Sequence, residues 1–234
     1  MGDIESLRRL LNAGAGPNQW DDNHFAPLRQ TCEIPYDVGR LACARALLEA
    51  GADPNLGNDV PLGSPLAGAI ARGEVPMVKL LLSAGAEVNR VWCLNHPDYA
   101  TTPLHKAITG EKNHAEVMEI LIKEGAAVNA RDWADETPLE SAITISRIPR
   151  VRSRHRLYPI LLRAGAASPR AGVLSEPIWR PGEAYIKRVM DAGSFAAYER
   201  RHVNALAATF GPKLGLLPEI ARVVVRFAFH CGYY

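Results

Sequence analysis

The sequence has few of the features that accompany disulfide scaffolds, metal sites, secretion or passage through a membrane. Its four cysteines, among 234 residues, show neither the paired spacing of a zinc site nor a small disulfide framework, so we expect free thiols in a reducing compartment. No apolar run is long enough to span a bilayer, and no apolar secretory core follows the N-terminus. These absences predict an intracellular, cytoplasmic protein without a membrane span, with a nuclear location as the alternative.

Signatures of catalysis are also missing. The seven histidines are scattered, no His-Glu-x-x-His is present, and no glycine-rich phosphate loop follows a strand pattern. Cys93 and His96 are close in sequence, but two ligands do not make a zinc site. The sequence therefore predicts no catalytic residue, no metal, no cofactor and no small-molecule substrate.

A motif of paired aliphatic residues, followed by Gly-Ala and then Asn or Pro, occurs five times along the chain. Its glycines are Gly14, Gly51, Gly85, Gly125 and Gly165, separated by 37, 34, 40 and 40 residues. Periods of this length are typical of a solenoid, in which each unit buries its apolar face on the next.

The most regular unit shows why each copy is predicted to form two helices. Ser64 can cap free N–H groups, and Pro65 suits a first helical position. A second apolar stripe of helical period begins after Pro76, and Gly85 follows it where a left-handed residue can end the helix. The first start signal recurs at Thr102-Pro103-Leu104-His105 and Thr137-Pro138-Leu139, and without a capping oxygen at Ala26-Pro27-Leu28. Each unit is therefore helix, tight turn, helix and projecting loop.

These motifs resemble the ankyrin repeat. The tetrapeptide from Thr102 to His105, with Gly-Ala and Asn at about one repeat's spacing, carries the resemblance, which covers roughly residues 2–193. It implies an all-α solenoid of stacked helix-turn-helix units with projecting hairpin loops, and a protein-binding face made by those loops and the first helices. His105 is interpreted as a hydrogen-bonded repeat histidine rather than a ligand. The pattern is broken where other residues stand in place of the histidine, at Arg29, Ala67 and Glu140.

The two ends differ from the regular array. Residues 2–11 match a second helix with no first helix before it, and we expect that helix to fray before the centre of the array. Residues 217–230 are apolar nearly all round, which predicts a buried helix that caps the last repeat, with Val224 and Phe227 facing the preceding helix. We accordingly divide the chain into a repeat array over residues 1–193 and a helical cap over residues 194–234.

The resemblance implies a monomeric, non-catalytic module that binds another protein. An alternative comes from Leu217-Pro218-Glu219, which resembles the C-terminal degradation-adaptor motifs, SOCS-box or F-box-like, that follow some ankyrin arrays. In that alternative the chain is a substrate-receptor adaptor for a ubiquitin ligase, and its C-terminal helix must be exposed to recruit the ligase.

Three tryptophans lie six to eight residues after their repeat glycines, inside the projecting loops. Trp and Tyr are residue types that anchor protein interfaces, whereas packing between neighbouring loops is the alternative for the tryptophans. The predicted partner-binding set is Trp20, Trp92, His96, Tyr99, Trp133 and Asp135. Aspartates surround the tryptophans, which favours a partner segment that is apolar at its centre and basic at its ends. These are Asp21, Asp22, Asp98, Asp132 and Asp135.

An arginine-rich insertion lies in a strongly basic part of the chain. Residues 1–146 carry 12 Lys and Arg against 20 Asp and Glu, whereas residues 147–234 carry 15 against 5. The insertion is interpreted either as a solvated loop or as a patch for phosphate, nucleic acid or an acidic protein. No aromatic residues interleave with its arginines, which argues against single-stranded nucleic acid. The residues of this predicted acidic-partner patch are Arg147, Arg150, Arg152 and Arg154.

Overall fold

The computed structural model describes residues 4–21, 25–32, 38–57, 63–92, 100–110, 112–148, 154–174 and 181–230. Within these ranges the chain is helical, with twelve α-helices and, as its one element of β structure, an isolated bridge between two residues. None of the helices in these ranges is long and apolar enough to cross a membrane. The chain forms two compact units, Met1–Val173 and Leu174–Tyr234.

The helices of the first unit form two rows. The first row contains α2 (Pro27–Thr31), α4 (Pro65–Arg72), α6 (Pro103–Thr109) and α8 (Pro138–Ser146). The second row contains α1 (Ile4–Asn12), α3 (Val38–Glu49), α5 (Val75–Ser83), α7 (His114–Lys123) and α9 (Tyr158–Arg163). Each first-row helix packs on the second-row helix that follows it, and each helix packs on its counterpart in the next unit. The predicted stack of helix-turn-helix units is confirmed.

Leucines at equivalent repeat positions fill the space between the two rows. The leucine after each helix-starting proline is at most 2% exposed, and so is the first aliphatic residue of the motif in the second to fifth copies. These residues are Leu28, Leu66, Leu104 and Leu139 in the first row, and Leu47, Leu81, Leu121 and Leu161 in the second. Truncating a buried leucine to alanine costs about 2–5 kcal/mol, so this repeated layer is a main source of stability.

The front of the array lacks this layer. Leu10 is the first aliphatic residue of the motif in α1, yet its side chain is 59% exposed and α1 has no buried residue. The reason is that α1 packs on α3 but has no first-row helix of its own among the described residues. The fraying of this end stays a prediction.

The predicted helix ends at the central unit are confirmed in detail. The hydroxyl oxygen of Ser64 accepts a hydrogen bond of 3.1 Å from the Ala67 N–H. Gly85 has φ of +92°, the left-handed conformation that a side chain would strain. The Ala86 N–H then donates to the Leu81 carbonyl at 3.0 Å, which satisfies one of the carbonyls left free at the end of α5.

The asparagine that ends the motif fastens each unit to the next. The Asn89 amide donates from Nδ2 to the Gly125 carbonyl at 3.0 Å, and its Oδ1 accepts from the Ala127 N–H at 2.7 Å. Asn18, Asn55 and Asn129 each make the same pair of bonds to the following unit. The fifth copy of the motif has Pro169 instead, whose ring has no amide to offer, so this series of bonds ends there.

The second unit contains α10 (Pro181–Asp191), α11 (Phe195–Phe210) and α12 (Pro218–His230). Ala221 and Val225 of α12 pack against Val203 and Ala207 of α11. The Tyr185 ring of α10 meets the Tyr198 ring of α11 edge to face, with centroids 5.5 Å apart. The boundary at residue 193 and the capping role of residues 194–234 stay predictions.

Two expectations for α12 are wrong. Val224 does not face α11, because Ala221 and Val225, four residues apart, occupy that side of the helix and Val224 is 46% exposed. The helix is also not buried all round, since Ile220 and Val223 are 49% and 68% exposed. The side chain of Phe227 lies outside the described residues.

Candidate functional site

The candidate site lies on the projecting loops that follow Gly14, Gly51, Gly85 and Gly125, which we call the first to fourth fingers. In the first finger, the Asp21 N–H donates to the Phe25 carbonyl at 3.0 Å, and Asp21 Oδ1 accepts from the Phe25 N–H at 2.8 Å. Asp132 and Glu136 make the same two bonds in the fourth finger, each at 3.0 Å. In both fingers the seventh residue after the glycine is therefore the one that closes the turn.

Trp92 occupies this seventh position in the third finger. Its backbone pairs with Thr101 through bonds of 3.1 and 3.3 Å, and its side chain is 3% exposed. Trp20 and Trp133, at the sixth and eighth positions, are by contrast 43% and 58% exposed.

The three tryptophans therefore do not form one exposed row. Trp92 fits the alternative of packing inside the finger, because it has almost no surface left for a partner. Trp20 and Trp133 are the two whose exposure suits a partner. Of the other predicted members of the site, His96 and Tyr99 lie outside the described residues.

The aspartates around the tryptophans are engaged in bonds within the protein. Asp21 also accepts from the Gln30 amide at 2.7 Å, and Asp132 Oδ1 accepts from the Ala134 N–H at 2.9 Å. Asp135 is 66% exposed, but its carboxylate lies 3.4 Å from Arg131 Nη1. Asp135 is therefore already paired with a cation, whereas Asp21 and Asp132 accept from neutral donors and keep their negative charge. Asp22 and Asp98 lie outside the described residues.

His105 is held as a hydrogen-bonded repeat histidine, as expected. Its Nδ1 lies 2.8 Å from the Thr102 hydroxyl, and its Nε2 lies 2.9 Å from the Glu136 carbonyl in the fourth finger. A carbonyl only accepts, so Nε2 carries the proton and Nδ1 accepts from Thr102. Burial lowers the pKa of His105 below its ordinary value, although Asp132 opposes this. At 3% exposure the ring has no free face for a ligand.

Two arginines of the basic insertion bond to the backbone of the first unit. Arg154 Nε donates to the Ile108 carbonyl at 2.8 Å and its Nη2 to the Gly110 carbonyl at 3.5 Å, at the end of α6. Arg147 Nη2 donates to the Val173 carbonyl. These two side chains are thus bonded to the backbone of the first unit but keep their positive charge. Arg150 and Arg152 lie outside the described residues, and the acidic-partner patch stays a prediction.

Comparison with known proteins agrees with the two-row architecture. The family model described as ankyrin repeats, in three copies, matches residues 68–149. This chain contains ankyrin repeats. It is similar to ankyrin repeat and SOCS box protein 11 of Mus musculus, with 32% identity over 124 residues, which is 53% of this chain and 35% of that protein.

Two further relatives also match only in part. Ankyrin repeat and SOCS box protein 5 of Oryctolagus cuniculus is 32% identical over 102 residues, 43% of this chain and 29% of that protein. The B-cell lymphoma 3 protein homolog of Mus musculus is 28% identical over 167 residues, 70% of this chain and 34% of that protein. The ankyrin-repeat chain thus spans about a third of the length of these relatives.

The three residues that stand in place of the repeat histidine differ in their local surroundings. Arg29 is buried and lies over the Phe25 ring, 3.9 Å from its centroid. Ala67 is completely buried. Glu140 accepts from the Thr137 N–H at 2.9 Å while Thr137 Oγ1 accepts from the Glu140 N–H, which is a capping box at the start of α8. The spacing Thr-x-x-Glu is the sequence signal for that box.

Proposed function

We propose that this ankyrin-repeat protein is a non-catalytic interaction module that binds another protein through its fingers and first-row helices. The exposure of Trp133 carries the proposal. Its indole is 58% exposed on a finger whose backbone is fixed by the Asp132–Glu136 bonds and by a 2.9 Å bond from the Trp133 N–H to the Ala100 carbonyl. A rigid aromatic side chain buries a large area in a partner and loses little entropy on binding.

The charges around Trp133 indicate what kind of segment it would bind. Because Asp135 beside Trp133 is already paired with Arg131, a basic partner would gain little from that carboxylate. We therefore expect an apolar or aromatic side chain of the partner to pack on the indole, with polar contacts at the edge. Trp20 offers a second contact of the same kind on the first finger.

The test begins with short peptides selected from a displayed library on the full chain. We expect Trp133→Ala to weaken the selected peptide's Kd about thirtyfold, which corresponds to about 2 kcal/mol, with little loss of stability. Leu10→Ala is the matched control, because Leu10 is equally exposed, at 59%, but lies in α1. Selected peptides whose affinity changes with neither Trp133→Ala nor Trp20→Ala would contradict the proposal.

We also propose an intracellular, monomeric protein. The two cysteines within the described residues, Cys32 and Cys43, are buried and form no disulfide, and burial raises the pKa of Cys32 to about 12. Buried thiols outside disulfides are typical of proteins that stay in a reducing compartment.

A substrate-receptor adaptor for a ubiquitin ligase is the second candidate. It is supported by the names of the relatives, which include SOCS box proteins, and by the outer side of α12. There Ile220, Val223 and Val224, with Leu217 just before the helix, are between 46% and 68% exposed and are spaced three and four residues apart. Apolar residues at that spacing form a continuous helix face of the kind that docks in a partner's groove.

The adaptor function predicts that a charge on this face prevents recruitment. Full-length chain would be used to capture proteins from cell extract, and ubiquitin-ligase subunits would be quantified by mass spectrometry. We expect Val223→Asp to lose those subunits and Asn204→Asp, an exposed change on α11, to retain them. The adaptor function would be refuted if the wild-type chain captured no ligase subunits, or if Val223→Asp captured as much of them as the wild type. The interaction module would then be the remaining proposal.

A further inference from the structure

The segment Ala166–Val173, which we call the strap, is attached to the rest of the first unit at both ends. The Ala167 N–H donates to Asn129 Oδ1 at 2.7 Å, and the Val173 carbonyl accepts from Arg147. Between these points Pro169 is buried. The strap therefore lies against the last repeat rather than extending into solvent.

Arg170, in the middle of the strap, joins two other elements. Its N–H and its Nε both donate to Glu140 Oε1, at 2.8 and 3.1 Å, at the start of α8. Its Nη1 lies 2.5 Å from Asp135 Oδ2 in the fourth finger. Arg131 approaches the same two carboxylates, at 3.7 Å from Glu140 and 3.4 Å from Asp135. Two cations and two carboxylates thus connect the strap, α8 and the fourth finger.

Glu140 does in this last unit what the repeat histidine does in the unit before. His105 Nε2 donates to the carbonyl of Glu136, 31 residues later, whereas Glu140 accepts from the N–H of Arg170, 30 residues later. The direction of the hydrogen bond is therefore reversed, because the glutamate side chain accepts where the histidine donates. The accepting group is also a charged carboxylate. Burial raises the pKa of Glu140, but hydrogen bonds from Thr137 and Arg170 outweigh burial and bring the pKa below its ordinary value. The carboxylate therefore stays ionised beside Arg170.

The fourth finger has a conformation that needs such support. Asp135 has φ of +59°, a left-handed conformation that is uncommon for residues other than glycine. It is kept there by the Asp135 N–H bond to the Asp132 carbonyl at 3.0 Å, by Arg131, and by Arg170. Asp135 lies two residues from Trp133, the exposed aromatic residue of the finger.

We propose that the strap is an ionic latch on the fourth finger, and that Arg170 is the positioning residue that holds Trp133 ready for a partner. The consequence for binding rests on the proposed function, whereas the latch itself concerns the finger alone. Arg170 is 41% exposed and Asp135 66%, so salt has access to the pair and should loosen it.

Amide hydrogen exchange of the full chain tests the latch without a partner. We expect Arg170→Ala to speed exchange in peptides covering residues 131–137 about fivefold, with residues 76–84 unchanged. Raising NaCl from about 0.02 M to about 1 M should speed exchange of the same peptides in the wild type, and should have a smaller effect in Arg170→Ala, where only Arg131 still pairs with Asp135. Arg156→Ala, which removes an exposed arginine of the first unit, is the control.

Arg170→Lys separates the charge from the geometry. Lysine keeps the positive charge but lacks the planar fork that reaches both carboxylates, so we expect exchange between that of the wild type and that of Arg170→Ala. Equal exchange in the wild type and Arg170→Ala, or an equal salt effect in both, would overturn the latch.

A binding measurement then tests what the latch controls. With a peptide selected on the full chain, we expect Arg170→Ala to weaken Kd about fivefold at low salt and Arg156→Ala to leave it unchanged. Faster exchange with unchanged Kd would overturn the positioning role of Arg170. If neither Trp133→Ala nor Trp20→Ala changed Kd while exchange still rose in Arg170→Ala, the proposed function would fail and the latch would stand.

Discussion

Leu81 and Leu10 occupy the same position of the repeat motif, and we predict very different effects when each is truncated to alanine. Leu81 is completely buried between the rows, so Leu81→Ala removes three buried carbon atoms and leaves a cavity. At about 0.8 kcal/mol for each carbon, the transfer term is about 2.4 kcal/mol, and the cavity brings the total to about 3 kcal/mol. Leu10 is 59% exposed, so it loses less than half of the transfer term, about 1 kcal/mol, and no closed cavity forms.

Urea denaturation followed by circular dichroism would measure the two free energies of unfolding. Because repeat arrays can unfold in parts, the slope of each transition must match that of the wild type before the midpoints are compared. We expect the midpoint of Leu81→Ala to fall about three times as far as that of Leu10→Ala. Equal losses would refute the reasoning, because they would mean that α1 is supported as well as α5.

Three further predictions concern single side chains. Asn89→Ala removes both bonds to the following unit and should lower the free energy of unfolding, measured in urea, by about 1–2 kcal/mol. Asn204→Ala, which changes an exposed residue of α11, is the control and should lower it by almost nothing. Trp92→Ala should lower the free energy of unfolding by about 3–5 kcal/mol. Trp92→Phe should lower it much less, because it also removes a buried indole N–H that has no acceptor among the described residues. Equal losses for the two variants would contradict this. His105 should make stability depend on pH: its folded pKa lies below the ordinary 6.5, so its contribution is present above that value and is lost as the pH falls through the folded pKa. Urea midpoints from about pH 7.5 to about pH 5 should therefore fall further in the wild type than in His105→Gln, and parallel curves would refute the assignment.

Most of the repeat architecture could be predicted because its signals are local. Proline after a capping residue, an apolar stripe of helical period and a terminal glycine act within one turn of helix, and they correctly placed α4, α5 and the turn at Gly85. The Asn at the end of each motif was visible in the sequence as a repeat, but its two bonds reach a residue more than thirty positions away. The sequence therefore revealed the repeated asparagine but not the two hydrogen bonds that it makes to the next unit.

The candidate site was predicted less well, because side-chain direction in the fingers depends on single-residue offsets. Trp20, Trp92 and Trp133 look alike at six to eight residues after their glycines, yet Trp92 at the seventh position is buried and the other two remain exposed. Asp21 and Asp132 occupy the seventh position in two fingers and bond back across the turn, and this common offset was the signal that could have separated Trp92 from the others.

The charged residues show where local pattern stops being informative. A run of arginines indicates positive charge, but the partners of Arg147, Arg154 and Arg170 are carbonyls and carboxylates brought near them by the stacking of units. The linear pattern of this chain was enough to specify helices, turns and a repeating core, since those depend on neighbours within a few residues. The burial of Trp92, the exposed face of α12 and the pairing of Arg170 were set by the folded arrangement, because each depends on surfaces that meet only when distant segments pack.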